Sequence, residues 1–200
     1  LPVVHRSMVL DALMRQRRSI GVTGTNGKGS VSAMTTWLLE CAGRTPAFAI
    51  GARLLNFGTN SRPADSDTIV CELDESDGSF TNTSPDVLVI NNLEADHLNY
   101  YRNLEGLLSL FSGYLSGSAA PRELHVLGDD PNIAEVLSRS GAKATTWGFG
   151  ECCDWRVSDV ATAGMSTEFS LTGPCGDLGR FSMPVPGEYN ALNMAAAISV

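Results

Sequence analysis

The stretch "SIGVTGTNGKGSVSAMTTWLLEC", Ser19 to Cys41, decides the fold. Its opening residues, Ser19 to Thr23, read as a buried strand. From Ser30 onward, Val31, Met34, Trp37, Leu38 and Cys41 recur at a 3.6-residue period, which predicts a helix with those residues on one face. Between the two lies Gly24-Thr25-Asn26-Gly27-Lys28-Gly29-Ser30. A glycine loop leading from strand to helix suits an anion. Gly24, Gly27 and Gly29 permit positive φ, so that successive N–H groups converge on phosphate oxygens. The helix start adds its positive dipole end, Lys28 supplies a point charge, and Ser30 offers a hydroxyl to a bound Mg²⁺. The general phosphate-loop template G-x-x-x-x-G-K-[ST] would place glycine at 22 and a hydroxyl at 29, where this chain has Val22 and Gly29. A plain glycine-rich turn is the competing reading. The lysine weighs against it, because an ammonium at the end of a buried strand is costly unless an anion meets it.

Working outward, the runs "AFAIGA", "TIVCEL", "DVLVINN" and "ELHVLG" are continuous rather than alternating, as in parallel strands buried on both faces. Helices are predicted over 5–17, around Leu104, Leu107, Leu108, Phe111 and Leu115, and over "PNIAEVLSRS", with its proline in the first turn. Strands alternating with helices predict a doubly wound, mostly parallel α/β sheet of P-loop type. Past Thr146 the texture changes to glycine- and proline-punctuated runs. They predict a small antiparallel β patch over 146–186 within one domain of residues 1–200, before a last helix opening near Asn190.

With 22 acidic and 14 basic residues the formal net charge is -8, and there is no basic block to meet a nucleic-acid backbone. Apolar runs such as Val87–Ile90 fall far short of a bilayer span, and the amino end lacks a signal-peptide pattern, so the expectation is a cytoplasmic protein. The five cysteines form no C-x-x-C pair and suit neither a disulfide framework nor a zinc cage. The chain begins Leu1-Pro2 and stops within an alanine-rich run, which reads as a piece of something longer.

Two other strand ends carry chemistry. "CELDESDGSF", Cys71 to Phe80, runs from an apolar strand into Glu72, Asp74, Glu75, Ser76 and Asp77. Ligands gather at the carboxyl ends of strands in such sheets, and hard oxygens there suit Mg²⁺, which takes one or two carboxylates beside phosphates and water. "INNLEADHLNYY" again runs from strand to loop and brings His97 behind Glu94 and Asp96. The expectation is one cleft holding Lys28 for phosphate, a carboxylate near 72–77 for one metal and His97 for a second.

Taken together, these motifs resemble the central ATP-binding domain of the Mur ligases, which join amino acids to peptidoglycan precursors, and of the related folylpolyglutamate synthases. The loop G-T-N-G-K-G-S is similar to the folylpolyglutamate type; "DESDGSF", "VINNLEADHLNYY" and "LPVVHRSMVLDALM" resemble the alanine-adding Mur branch. The resemblance implies roles for Lys28 on phosphate, Glu72 on magnesium and His97 on a second metal. It also implies that the terminal "VPGEYNALNMAAA" meets adenine through Asn193, with Asn190 beside it. By the same resemblance the parent phosphorylates a substrate carboxylate with ATP and Mg²⁺, and an amine then attacks the acyl phosphate. Flanking domains would bind a UDP-sugar acceptor and the amino acid. The chain departs from the family at Gly29, where a hydroxyl is usual, and at Tyr189, where histidine is frequent. No lysine lies between His97 and Lys143 for carbamylation. Three other readings stand beside this one: a folylpolyglutamate-synthase-like or other amino-acid ligase of the same superfamily; a regulatory GTPase-like switch, for which no N-K-x-D-like motif is present; and a non-catalytic nucleotide-binding module, which Gly29 and Tyr189 would suit.

Overall fold

The computed structural model describes residues 3–200. Ten strands form one sheet: β1 (Arg18–Thr23), β2 (Ala47–Leu54), β3 (Thr59–Arg62), β4 (Thr68–Glu72), β5 (Val87–Ile90), β6 (Glu123–Leu127), β7 (Thr145–Gly148), β8 (Trp155–Ala163), β9 (Ser166–Gly173) and β10 (Gly176–Met183). Their order is β10-β9-β8-β7-β6-β5-β1-β4-β2-β3. Strands β2, β4, β1, β5, β6, β7 and β8 pair in parallel, whereas β3 and the β8–β9–β10 meander pair antiparallel. The expected mostly parallel sheet with an antiparallel patch is therefore present, and the patch extends the same sheet.

Six α-helices flank it: α1 (Arg6–Met14), α2 (Lys28–Cys41), α3 (Leu98–Tyr101), α4 (Leu104–Ser116), α5 (Pro131–Ser140) and α6 (Glu188–Ser199). The alternation of strand side chains sorts them into two layers. Leu88 and Ile90 join Phe111, Leu107 and Ile133 in a core under α4 and α5, while Val89 joins Val22, Val31 and Ala195 under α2 and α6. Residues 87–90 are wholly buried, which is why this segment reads as a continuous apolar run. No described helix is long and apolar enough to cross a membrane.

Several expectations need correction. Helix α2 begins at Lys28, so Lys28 and Gly29 belong to its first turn rather than to the loop. Its buried face is also rotated. Val31, Ser32, Thr35 and Thr36 are buried, whereas Trp37 is 43% exposed and Cys41 is exposed. Small hydroxyl side chains let α2 lie close to its neighbours, and Thr36 satisfies its own hydroxyl by donating to Ser32 O at 2.7 Å. The polar edge strand β3 and the short helix α3 carry no apolar periodicity and were not anticipated.

The loop between β1 and α2 is shaped by two glycines. Gly24 has φ 120, and a Cβ there would lie 2.8 to 2.9 Å from backbone atoms of Asn91 and Asn92. Gly27 has φ 80, and a Cβ would collide with Asn91 Nδ2. Gly29 is different: its φ is not positive, and a Cβ would meet only Glu72 Oε2, at 3.5 Å. Its expected role as a third positive-φ position is corrected accordingly. Gly24→Ala should therefore cost about 2 kcal/mol or more of stability. By contrast, Gly29→Ala should leave stability unchanged or raise it by about 0.5 kcal/mol. Urea unfolding of the two variants checks both.

A second outcome follows from His125 on β6, which is 6% exposed and 3.0 Å from Ser199 Oγ at the end of α6. That hydroxyl commits its proton to Ala196 O at 2.9 Å, so His125 Nδ1–H is the donor and a second proton would have to sit on the buried ring. Burial lowers the pKa of His125 from 6.5, with Glu123 opposing and Arg18 assisting. The unfolded chain then binds more protons, so stability falls as pH drops below about 6.5 toward the folded-state value. Thermal unfolding from about pH 7.5 to pH 5.5 should show a larger loss of Tm in the wild type than in His125→Gln.

Candidate active site

The parallel register aligns three strand ends. Val22 pairs with Glu72 on one side and Val89 on the other, and Thr23 pairs with Ile90. The loops after β1, β4 and β5 therefore leave the sheet side by side, at its carboxyl edge, where ligands bind in such folds. The first turn of α2 leaves the N–H groups of Lys28, Gly29 and Ser30 without an acceptor inside the helix.

Lys28 is the centre of this edge. Its side chain is 14% exposed, and its Nζ donates to Gly24 O at 2.8 Å, Thr25 O at 3.2 Å and Glu75 Oε1 at 3.1 Å. Glu75 Oε2 is closer, at 2.8 Å, though poorly aligned for a hydrogen bond. Glu75 itself is 1% exposed, and burial pushes its carboxyl pKa up against the opposing pull of Lys28. The Tyr101 hydroxyl donates to Glu75 O.

His97 reaches the same carboxylate: its Nε2 lies 3.6 Å from Glu75 Oε1 and 3.8 Å from Asp96 Oδ2. Its backbone has φ 52, a left-handed conformation that is uncommon outside glycine, and its N–H is received by Asp96 Oδ1 at 2.7 Å. Strain of this kind tends to gather at functional positions.

Glu72 ends β4 and lies half-buried, with Oε2 accepting from Gly51 N at 2.8 Å and facing the position of a Gly29 Cβ at 3.5 Å. It also lines a cavity of about 580 Å³ with Arg6, Asp74, Ile50, Ser61 and Phe80. Glu72 thus stands between the first turn of α2 and that cavity. In the cavity wall, Arg6 Nη2 donates to Asp74 Oδ2 at 2.9 Å. Burial works against the charge on Asp74, but hydrogen bonds from Ser76 and Arg6 hold its carboxyl below the ordinary range.

The loop is clamped by asparagines. Asn92 O and Oδ1 receive the N–H groups of Thr25 and Asn26 at 2.9 and 2.7 Å, and Asn91 Nδ2 donates to Asn26 O at 2.8 Å and Asn193 Oδ1 at 3.0 Å. Asn193 Nδ2 in turn donates to Asn190 Oδ1 at 3.3 Å. Asn190 and Asn193 of α6 are thereby tied to the loop, while Tyr189 is 82% exposed. Ser30 and Asn26 are exposed at the loop's rim.

Lys28, Glu72 and His97 are therefore brought to one edge, the first and last meeting at Glu75. Sequence reasoning placed Glu75 only within an acidic run and gave Asn91 and Asn92 no role; the strand-end position of "INN" was the available signal. Among the described residues no three His, Cys, Asp or Glu side chains converge to hold a metal alone. Glu72 and the Ser30 hydroxyl are hard donors of the kind that complete a magnesium shell only alongside a ligand's own oxygens.

Comparison with known proteins agrees with this architecture. The chain is 39% identical over its whole length to a UDP-N-acetylmuramate--L-alanine ligase of Thermobifida fusca and spans 43% of that protein, under half its length. Among solved structures, a UDP-N-acetylmuramate:L-alanyl-gamma-D-glutamyl-meso-diaminopimelate ligase from Neisseria meningitides is 26% identical, with a TM-score of 0.86 over all of this chain and 65% of that one. A MurF ligase from Thermotoga maritima, solved in complex with ADP, shares the fold at 20% identity and a TM-score of 0.74, covering 100% of this chain and 49% of its own. The model of the Mur ligase middle domain matches residues 22–200, and the chain belongs to that family.

Proposed function

We propose that this chain is the Mg-ATP-binding unit of an ATP-dependent carboxylate-amine ligase that adds L-alanine to a UDP-muramyl acceptor in peptidoglycan synthesis. The observation that carries the reading is the convergence of Lys28 and His97 on Glu75, with Glu72 beside the first turn of α2, in the loops and strand ends of three adjacent parallel strands. Two comparisons support it: the 39% identity to an L-alanine ligase and the ADP bound by a relative of the same fold.

The loop from Gly24 to Gly27 and the first turn of α2 cradle the triphosphate with backbone N–H groups, and the Lys28 ammonium offsets charge on the transferring phosphoryl group. Asn193 and Asn190, tied to the loop through Asn91, serve the adenine side. Glu72 with Ser30 would hold one magnesium ion and His97 a second, and these ions would supply neutralisation of phosphate charge. The cavity on the far side of Glu72 receives the acceptor carboxylate, placing it next to the phosphoryl group. A carboxylate oxygen takes up the γ-phosphoryl group and ADP leaves. The amine then attacks the acyl carbon, phosphate departs and the amide forms. Regions outside this chain would supply the remaining grip on the UDP-sugar and the amino acid, and the setting is the cytoplasm, where ATP is held.

Calorimetric titration with ATP, with and without Mg²⁺, tests the nucleotide half. Binding should strengthen with Mg²⁺ and weaken about tenfold to a hundredfold in Lys28→Ala. Equal binding by the two proteins removes the lysine from its role, and stronger competition by GTP than by ATP would favour a regulatory switch. Amide formation by the full-length parent from UDP-N-acetylmuramate and L-alanine tests the ligase half.

A further inference from the structure

The Lys28 ammonium has three N–H donors, and Gly24 O, Thr25 O and the Glu75 carboxylate already take them. A phosphate entering the loop has to displace one acceptor. The two carbonyls belong to the loop and maintain its curve, whereas Glu75 comes from the segment after β4 and is the separable partner. Its side chain is 1% exposed, however, so a carboxylate that loses Lys28 needs another donor. His97 Nε2 stands 3.6 Å from Glu75 Oε1, beyond hydrogen-bonding distance by less than 1 Å. The Tyr101 hydroxyl, bonded to Glu75 O, keeps the backbone in place while the side chain changes partner.

We propose that Glu75 is a positioning residue that exchanges partners: it holds Lys28 until an anion takes the ammonium, then passes to His97 and so sets the place of the imidazole. Filling of the phosphate loop is thereby coupled to the third strand end. The proposal rests on the nucleotide reading above and deepens it, since it assigns Glu75 the job of ordering the site around an arriving triphosphate. It needs no bound metal, because the exchange involves only this chain's own donors and the ligand's phosphate.

The test uses ¹⁵N-labelled protein and ATP in the presence of EDTA. In the wild type the imidazole resonance of His97 should move on ATP addition, while that of His125, buried on β6 against Ser199, stays in place. Glu75→Gln, whose neutral amide competes less for the ammonium, should bind ATP about tenfold more tightly, with a His97 resonance that no longer follows the addition. A purely structural glutamate predicts the opposite sign, weaker binding on replacement. A His97 resonance that stays still at saturating ATP, or a folded Glu75→Gln protein that binds ATP no more tightly than the wild type, overturns the exchange. If Glu75→Gln does not fold, the wild-type resonance alone decides. Lys28→Ala separates the two layers: binding equal to the wild type overturns the nucleotide reading and the exchange together, whereas lost binding beside a silent His97 overturns the exchange alone.

Discussion

A largely buried ammonium governs this molecule. Lys28 leaves water for the carboxyl edge of the sheet, where desolvation of a charge costs several kcal/mol unless other groups replace the water. Two loop carbonyls and one buried carboxylate do so here. The loop must therefore curl back over its own lysine, which requires the positive φ of Gly24 and Gly27, and the chain after β4 must turn inward to deliver Glu75. The Asn91 and Asn92 clamp is the third requirement, since it fixes the curl against β5. Neutralising the ammonium inside the protein lets the loop fold around it.

The sheet converts that local arrangement into a site. Because β4, β1 and β5 are parallel and in register, their carboxyl ends lie level, and residues far apart in sequence arrive at one edge. The cores on the two faces hold this register: a one-residue slip of β5 would drive Val87 and Val89 into the layer built for Leu88 and Ile90. Glu72, at the last position of β4, then faces the first turn of α2 on one side and a cavity on the other.

Much of this was legible in the sequence, for definite reasons. Strands buried on both faces advertise themselves as uninterrupted apolar runs, and the glycine loop announced the strand-to-helix junction. The face of α2 was misread because its buried side is lined by Ser32, Thr35 and Thr36, chosen for small volume, a criterion hydropathy does not report. Strand β3 escaped notice because an edge strand of polar residues carries no apolar pattern, and its Arg62 is held by partners distant in sequence, Glu40 and Pro46 O. Within the site, "CELDESDGSF" showed that acids gather but not which one turns inward. Glu72 is set by strand register, while Glu75 is set by a turn whose tertiary partners, Lys28 and Tyr101, lie 47 and 26 residues away in sequence.

The central claim is that the edge formed by β1, β4 and β5 is a single metal-nucleotide site. The most direct measurement is a crystal structure with a non-hydrolysable ATP analogue and Mn²⁺, the metal located by its anomalous signal. The account predicts the outer phosphates between the loop from Gly24 to Gly27 and the first turn of α2, touching Lys28, and the metal in contact with Glu72. A nucleotide seated elsewhere, or a metal that leaves Glu72 untouched, would contradict it.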